Sequence, residues 1–212
     1  MTPLRVFLAD DHAIFRDGLR ALLQRHPGVE VVGEAGDGHE AVTEIERTRP
    51  DVVVMDIAMP YLNGLEVTRR VRKRLPRTRI LVLSMYEDAD FVNQILAAGA
   101  SGYVLKGSAS KELLDALAVI RKGQTYVTPQ LERHTGTPVR RGAADVEGPL
   151  TARERETLQL LAEGNSHAQI AARLHISPKT VETHRRHIGA KLGIRDLAGL
   201  VKYAVRKRLV QI

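Results

Sequence analysis

Short, nearly uninterrupted apolar runs alternate with longer segments of helical period through the first 124 residues. The runs occupy residues 5–11, 30–33, 52–57, 80–84 and 102–105. After the first run Phe15, Leu19 and Leu22 recur at helical spacing, and after the last run Leu113, Leu117 and Ile120 do the same. The stretch Val52-Val53-Val54-Met55 has no polar alternation, which marks a strand covered on both faces. Five strand–helix repeats predict an α/β doubly wound fold: a five-stranded parallel sheet with helices on each side.

The pattern then changes. Residues 125–148, with Thr135-Gly136-Thr137-Pro138 and Gly142-Ala143-Ala144, read as a linker with a short helix near 129–133. Residues 149–212 hold no strand pattern but several helix starts. Thr151-Ala152-Arg153-Glu154 and Ser166-His167-Ala168-Gln169 both fit a capping box, in which the first side chain caps the helix and the fourth reaches back. Ser177-Pro178 sets a capping hydroxyl before a proline at the first helical position, and Asp196 can cap a last helix. Gly164 and Gly193 fall where a left-handed residue ends a helix. The expected organisation is a domain over 1–124, a linker over 125–148 and a small all-α domain over 149–212.

Charge separates the same regions. Residues 1–124 carry 17 Lys+Arg and 17 Asp+Glu, whereas residues 150–212 carry 12 against 5. A neutral domain joined to a basic one suggests a nucleic-acid-binding module, with a solvated basic face as the plain alternative. The absence of cysteine excludes disulfides, thiolate metal sites and cysteine nucleophiles. No apolar run reaches the ~18 residues of a membrane span. The start Met1-Thr2-Pro3-Leu4-Arg5 lacks a signal segment, so a cytoplasmic protein without membrane association is expected.

The polar residues at strand ends carry the chemistry. Asp10 and Asp11 end strand one, Asp56 falls at the end of strand three, Ser84 ends strand four and Lys106 ends strand five. Parallel strands present their carboxyl ends along one sheet edge, so all five should meet in one crevice. Each alone could be a helix cap or a solvated loop residue; together at matching strand ends they suggest a site. Three adjacent carboxylates need a cation, and a hard divalent ion with oxygen ligands, Mg2+, answers the repulsion. Lys106 adds a positive charge and Ser84 a hydroxyl. The set suits phosphoryl transfer to a carboxylate.

These residues, with Asp10-Asp11-His12, Met55-Asp56-Ile57-Ala58-Met59-Pro60, Gly64, Ser84 and Gly102-Tyr103-Val104-Leu105-Lys106, resemble the receiver domain of two-component response regulators over about residues 4–122. The resemblance implies a flavodoxin-like sheet of order 2-1-3-4-5. It implies that Asp56 accepts phosphate from a sensor histidine kinase. Asp11, Asp56 and the backbone carbonyl of Ala58 would hold Mg2+, with Asp10 acting through water. Lys106 would hold phosphoryl oxygens, while Ser84 and Tyr103 would form a switch pair, the hydroxyl moving to the phosphate and the ring turning inward. Many receivers carry proline after this lysine; here Gly107 follows. An Asp-nucleophile phosphatase would need a second acid two positions on to protonate the leaving group and activate water, and position 58 is alanine. A phosphoacceptor, not an enzyme, is expected.

In the basic domain a short helix around Gln169, Ile170 and Leu174, a turn, and a longer helix from Ser177 make a helix-turn-helix. On the longer helix Val181, His184, Ile188 and Leu192 form a core-facing stripe. A metal role for His184 and His187 lacks acidic or thiol partners. Leu150-Thr151-Ala152-Arg153-Glu154, Ile170-Ala171-Ala172-Arg173-Leu174, the run Ser177 to His184, and Lys191-Leu192-Gly193 look like the LuxR-type DNA-binding domain. His167-Ala168-Gln169 departs from the usual polar-basic-acidic triplet of that turn. The whole chain resembles the NarL/FixJ class of transcriptional regulators. By that resemblance Glu182, Thr183 and Arg186 would contact bases and Lys179, Thr180 and Lys191 phosphates of double-stranded DNA. The implied partners are a sensor histidine kinase, DNA, a second copy in a phosphorylation-dependent homodimer formed partly through the last helix, Asp196 to Arg206, and RNA polymerase. The competing reading is a phosphorylation-independent regulator that uses the receiver as a dimerisation or interaction module.

Overall fold

A computed structural model describes residues 2–131 and 148–210, which form two compact units. The proposed linker turns from 132 onward lie outside the described residues. The first unit is built on a wholly parallel sheet of β1 (Leu4–Ala9), β2 (Val29–Ala35), β3 (Val52–Asp56), β4 (Arg79–Ser84), β5 (Gly102–Leu105) and β6 (Tyr126–Val127), in the order β2-β1-β3-β4-β5-β6. Five helices connect the first strands: α1 (Ala13–Gln24), α2 (Gly38–Thr48), α3 (Gly64–Arg74), α4 (Ala89–Ala97) and α5 (Ala109–Arg121).

The continuous apolar strands are buried on both faces for the reason their sequence suggests. On one face Leu8, Val54, Leu81 and Val104 meet Leu19 and Leu23 of α1 and Leu113, Leu117 and Ile120 of α5. Alternate residues Phe7, Val53, Met55 and Val82 are equally buried and point to the opposite face by strand alternation. Gly64 opens α3 against the end of β3: a Cβ there would lie 2.5 Å from the carbonyl oxygen of Asp56. Only glycine fits that approach without moving the loop after the strand.

The sheet has six strands where five were expected. Tyr126–Val127 pairs in parallel with Gly102 and Tyr103, so the sheet continues into the segment read as linker. Thr128 is fully buried; its amide donates to the carbonyl of Tyr103 at 3.0 Å, and its hydroxyl accepts the amide of Leu105 at 3.1 Å. The Tyr126 hydroxyl donates to Glu112 on α5 at 3.0 Å. Burial, that bond and the nearby Asp115 charge push its pKa up to about 12. Residues 129–131 are helical, and the rest of the short helix expected there is outside the described residues.

The second unit contains α6 (Ala152–Ala162), α7 (His167–Leu174), α8 (Pro178–Leu192) and α9 (Leu197–Arg206). Both capping boxes form as the sequence indicates, at Thr151/Glu154 and Ser166/Gln169. Ser177 and Asp196 cap α8 and α9. Gly193 ends α8 in the left-handed region with φ 67°, where a side chain would be strained. Leu158, Ile188, Leu200 and Ala204 form one core cluster, and Ile170, Leu174 and Val181 belong to another. No helix among the described residues is long and apolar enough to cross a membrane.

Candidate functional site

At the carboxyl edge of the first unit, β1 stops at Ala9 and β5 at Leu105. Asp10 and Asp11 therefore sit just beyond their strand instead of ending it, and Lys106 opens a short 3-10 turn, Lys106–Ser108. Asp56 and Ser84 are the last residues of β3 and β4. The ligand atoms of Asp10, Asp11, His12 and Asp56 lie within 4.8 Å of one another.

Lys106 anchors this cluster. Its Nζ donates to Oδ2 of Asp56 at 2.8 Å and lies 2.9 Å from Oδ2 of Asp10. Burial pulls the ammonium pKa down, but the bond to Asp56, the contact with Asp10 and both negative charges outweigh it and leave it raised. The same Nζ sits 4.9 Å from the ring centroid of Phe15, so the lysine is confined from a third side. Asp10 Oδ1 accepts the amide of His12 at 2.9 Å, and His12 Nδ1 lies 2.8 Å from Asp11 Oδ1. Asp10 and Asp56 are 1% and 3% exposed, so their charges are poorly solvated. Oδ2 of Asp10 is buried without a well-formed hydrogen bond. A buried carboxylate oxygen whose one close partner is the Lys106 ammonium, beside two further carboxylates, is the donor chemistry a hard divalent cation satisfies, and the residues fit such an ion.

Ser84 and Tyr103, the expected switch pair, both bond the backbone of Tyr86. Ser84 Oγ accepts the amide of Tyr86 at 3.1 Å, and the Tyr103 hydroxyl donates to the carbonyl of Tyr86 at 2.8 Å. Tyr103 is fully buried, so its ring already lies inward in this structure. Sequence reasoning gave no part in the site to Tyr86, Phe15 or Thr128, and named His12 only as part of a motif. Proximity to the paired aspartates was the available signal for His12; the others are brought in only by folding.

In the second unit α8 buries Val181 and Ile188 completely, leaves His184 half-buried, and exposes Lys179, Glu182, Arg186 and Lys191. Thr180 and Thr183 are half-buried. Their hydroxyls are engaged locally, Thr180 with Ser177 at 2.8 Å and Thr183 with the carbonyl of Lys179 at 3.0 Å. Glu182 accepts from Arg185 at 3.2 Å and lies 3.6 Å from His167 Nδ1. The side chains of Arg186 and Lys179 make no hydrogen bond or ion pair with a described residue. A cleft of about 570 Å³ between α8 and α9 is lined by Arg185, Arg186 and Arg195 together with Glu182. Arg185 and Arg195 were absent from the contacts expected from sequence.

Lys191 is placed differently from the other cations, because its Nζ donates to Glu154 at 2.7 Å. Burial raises the Glu154 pKa, but the bonds from Lys191 and Thr151 prevail and hold it below the ordinary carboxylate value. Glu154→Ala should therefore cost about 1–2 kcal/mol, since cap and ion pair go together. A lowered folded pKa contributes stability at neutral pH and loses it on acidification. The gap between wild type and variant in urea denaturation should close as pH falls below 4.5, the ordinary value.

The family comparisons agree with both units. Residues 6–118 match the response regulator receiver domain, and residues 148–204 match the LuxR family of bacterial regulatory proteins. The chain is a response regulator. Its relatives include the oxygen regulatory protein NreC of Staphylococcus aureus, 37% identical over 216 residues that cover 98% of this chain and all of that one. Among solved structures it is similar to the RcsB response regulator of Salmonella typhimurium, with 29% identity, a TM-score of 0.61, and coverage of 97% of this chain and 100% of that one. The regulator ChrA of a heme-sensing two-component system is 35% identical with a TM-score of 0.53, covering 99% and 100%. An RcsB–DNA complex aligns at 28% identity and a TM-score of 0.61 over 96% and 98%. This response regulator thus joins a receiver to a LuxR-type DNA-binding domain, and the acidic cluster lies where receivers typically bind Mg2+.

Proposed function

We propose that this response regulator is a transcription factor switched by phosphorylation of Asp56 from a sensor histidine kinase. The observation that carries the reading is the single ammonium of Lys106 held between Asp10 and Asp56 beside a third carboxylate. An Asp56 carboxylate oxygen attacks the phosphorus of a phosphohistidine; the O–P bond forms, the P–N bond breaks, and the imidazole leaves with the electron pair. Lys106 is placed to neutralise charge on the phosphoryl oxygens. Asp11, Asp56 and the backbone carbonyl of Ala58 would hold Mg2+, with Asp10 assisting, and the ion would supply charge neutralisation for the transferred group. Ala58 leaves no acid two residues after Asp56, which favours a phosphoacceptor over a phosphatase. A compartment holding both kinase phosphate and DNA is required, hence the cytoplasm.

Drawing the Ser84 hydroxyl to a phosphoryl oxygen would loosen its bond to the Tyr86 amide, and Tyr103 holds the carbonyl of the same residue. The loop after β4 is thereby coupled to phosphate. We take homodimerisation as the output, with tighter DNA binding and then engagement of RNA polymerase following from it. Incubation with acetyl phosphate and Mg2+ followed by intact mass tests the acceptor, and sedimentation tests the output. An unchanged mass would favour the phosphorylation-independent reading, and an unchanged oligomeric state would remove dimerisation as the output.

For DNA, the unpaired and exposed Arg186 is the base-reading candidate, since a guanidinium can pair with guanine in the major groove. Arg186→Ala should cost about 1–3 kcal/mol on the specific site and relax preference at one base pair. Lys179→Ala should weaken all sequences alike and lower the salt slope by about one. Glu182→Ala should release Arg185, tightening binding to scrambled duplexes while reducing discrimination. Titrations on specific and scrambled duplexes at two salt concentrations check all three. Equal loss on both duplexes for Arg186→Ala would assign it to phosphate.

A further inference from the structure

The amino edge of the sheet holds a cavity of about 300 Å³. It lies where β3 begins at Val52, at the opposite end of that strand from Asp56. Three guanidiniums from two segments line it: Arg77 in the turn before β4, Arg79 as the first residue of β4, and Arg121 as the last of α5. All three are exposed, and none makes a hydrogen bond or ion pair with a described residue.

Most guanidiniums elsewhere in this unit are tied down. Arg16 and Arg20 reach Glu34, Arg47 reaches Glu44, Arg74 reaches Glu46, and Arg5 and Arg72 donate to backbone carbonyls. The carboxylate lining the cavity is Asp51; its Oδ2 accepts the amide of Arg5 at 2.9 Å, and it pairs with none of the three arginines. Three like charges gathered without a partner, offset by one carboxylate, leave a doubly positive concavity in a domain whose overall charge is balanced.

We propose that this cavity binds a phosphate dianion, either inorganic phosphate or the phosphate group of a small ester. A dianion matches the net charge, and guanidinium forks engage phosphate oxygens two at a time. The volume is at the small end of ligand pockets and admits a small organic substituent beside the phosphate. The exposed Pro3 in the lining gives such a substituent an apolar surface to pack on. The site stands apart from Asp56 and does not depend on the phosphoacceptor reading.

Calorimetric titration of the full chain without Mg2+, using adenosine monophosphate and inorganic phosphate against potassium chloride at equal ionic strength, tests this. We expect saturable binding that weakens at least about tenfold in Arg79→Gln and in Arg121→Gln. Arg79→Lys, which keeps the charge but loses the fork, should fall between. Arg77→Gln lies in a turn outside the sheet ladder and should lose affinity with an unchanged denaturation midpoint, separating binding from folding. Tighter binding of the monophosphate than of phosphate identifies an ester; equal affinity identifies the free anion. No saturable binding, or identical binding by wild type and all variants, overturns the site. Loss confined to duplex DNA would make the patch a nucleic-acid surface and overturn it equally.

Discussion

Asp56→Asn should take up no phosphoryl group from acetyl phosphate, with or without Mg2+, while the wild type gains one in intact mass. The amide preserves the shape of the side chain and its place at the end of β3, but it removes the anionic oxygen that attacks phosphorus. Asp10 and Asp11 cannot substitute. Asp10 is buried, with one oxygen accepting the His12 amide and the other facing Lys106. Asp11 faces His12 from a more exposed position. Both are expected to serve a cation, so Asp11→Asn should slow phosphorylation by raising the Mg2+ requirement instead of abolishing it. Uptake by Asp56→Asn at the wild-type rate would move the acceptor elsewhere.

The acidic site was legible because its residues stand at ends of strands whose composition announces them. Val52-Val53-Val54-Met55 can only be a covered strand, and its end fixes Asp56. Strand ends were placed too far along, by two residues at Asp11 and by one at Lys106, since a polar residue leaving a strand and one ending it look alike in sequence. The sixth strand was not legible: two residues, Tyr126 and Val127, have no period, and their pairing with Gly102 and Tyr103 arises only after α5 brings the chain back.

The helical unit shows the same division between local and distant information. Caps are local, and Thr151, Ser166, Ser177 and Asp196 all cap as their spacing indicates. The Glu182–Arg185 pair is three residues apart on one helix, a spacing at which side chains are neighbours, and could have been read. The pairing of Lys191 with Glu154 spans 37 positions. Nothing in the sequence separates Lys191 from the solvated lysines, yet that bond turns a presumed phosphate contact toward the fold itself.

Lys106→Met should lower the rate of phosphorylation by about 10²-fold, the scale of losing one charged stabiliser of a transferring group, and should at the same time tighten Mg2+ binding. The two effects have one origin. The ammonium sits against Oδ2 of both Asp10 and Asp56, two of the carboxylates that would serve a divalent ion. Methionine keeps most of the aliphatic stem against Phe15 but leaves two buried carboxylates without their cation. Their repulsion then destabilises the metal-free receiver and favours any ion that relieves it. Denaturation midpoints recorded across a Mg2+ titration should therefore rise more steeply for the variant than for the wild type, from a lower starting point. A parallel rise in both proteins would mean that Lys106 and the metal do not compete. In that case the lysine would face the phosphoryl group alone, and its contacts with Asp10 and Asp56 would not oppose metal entry.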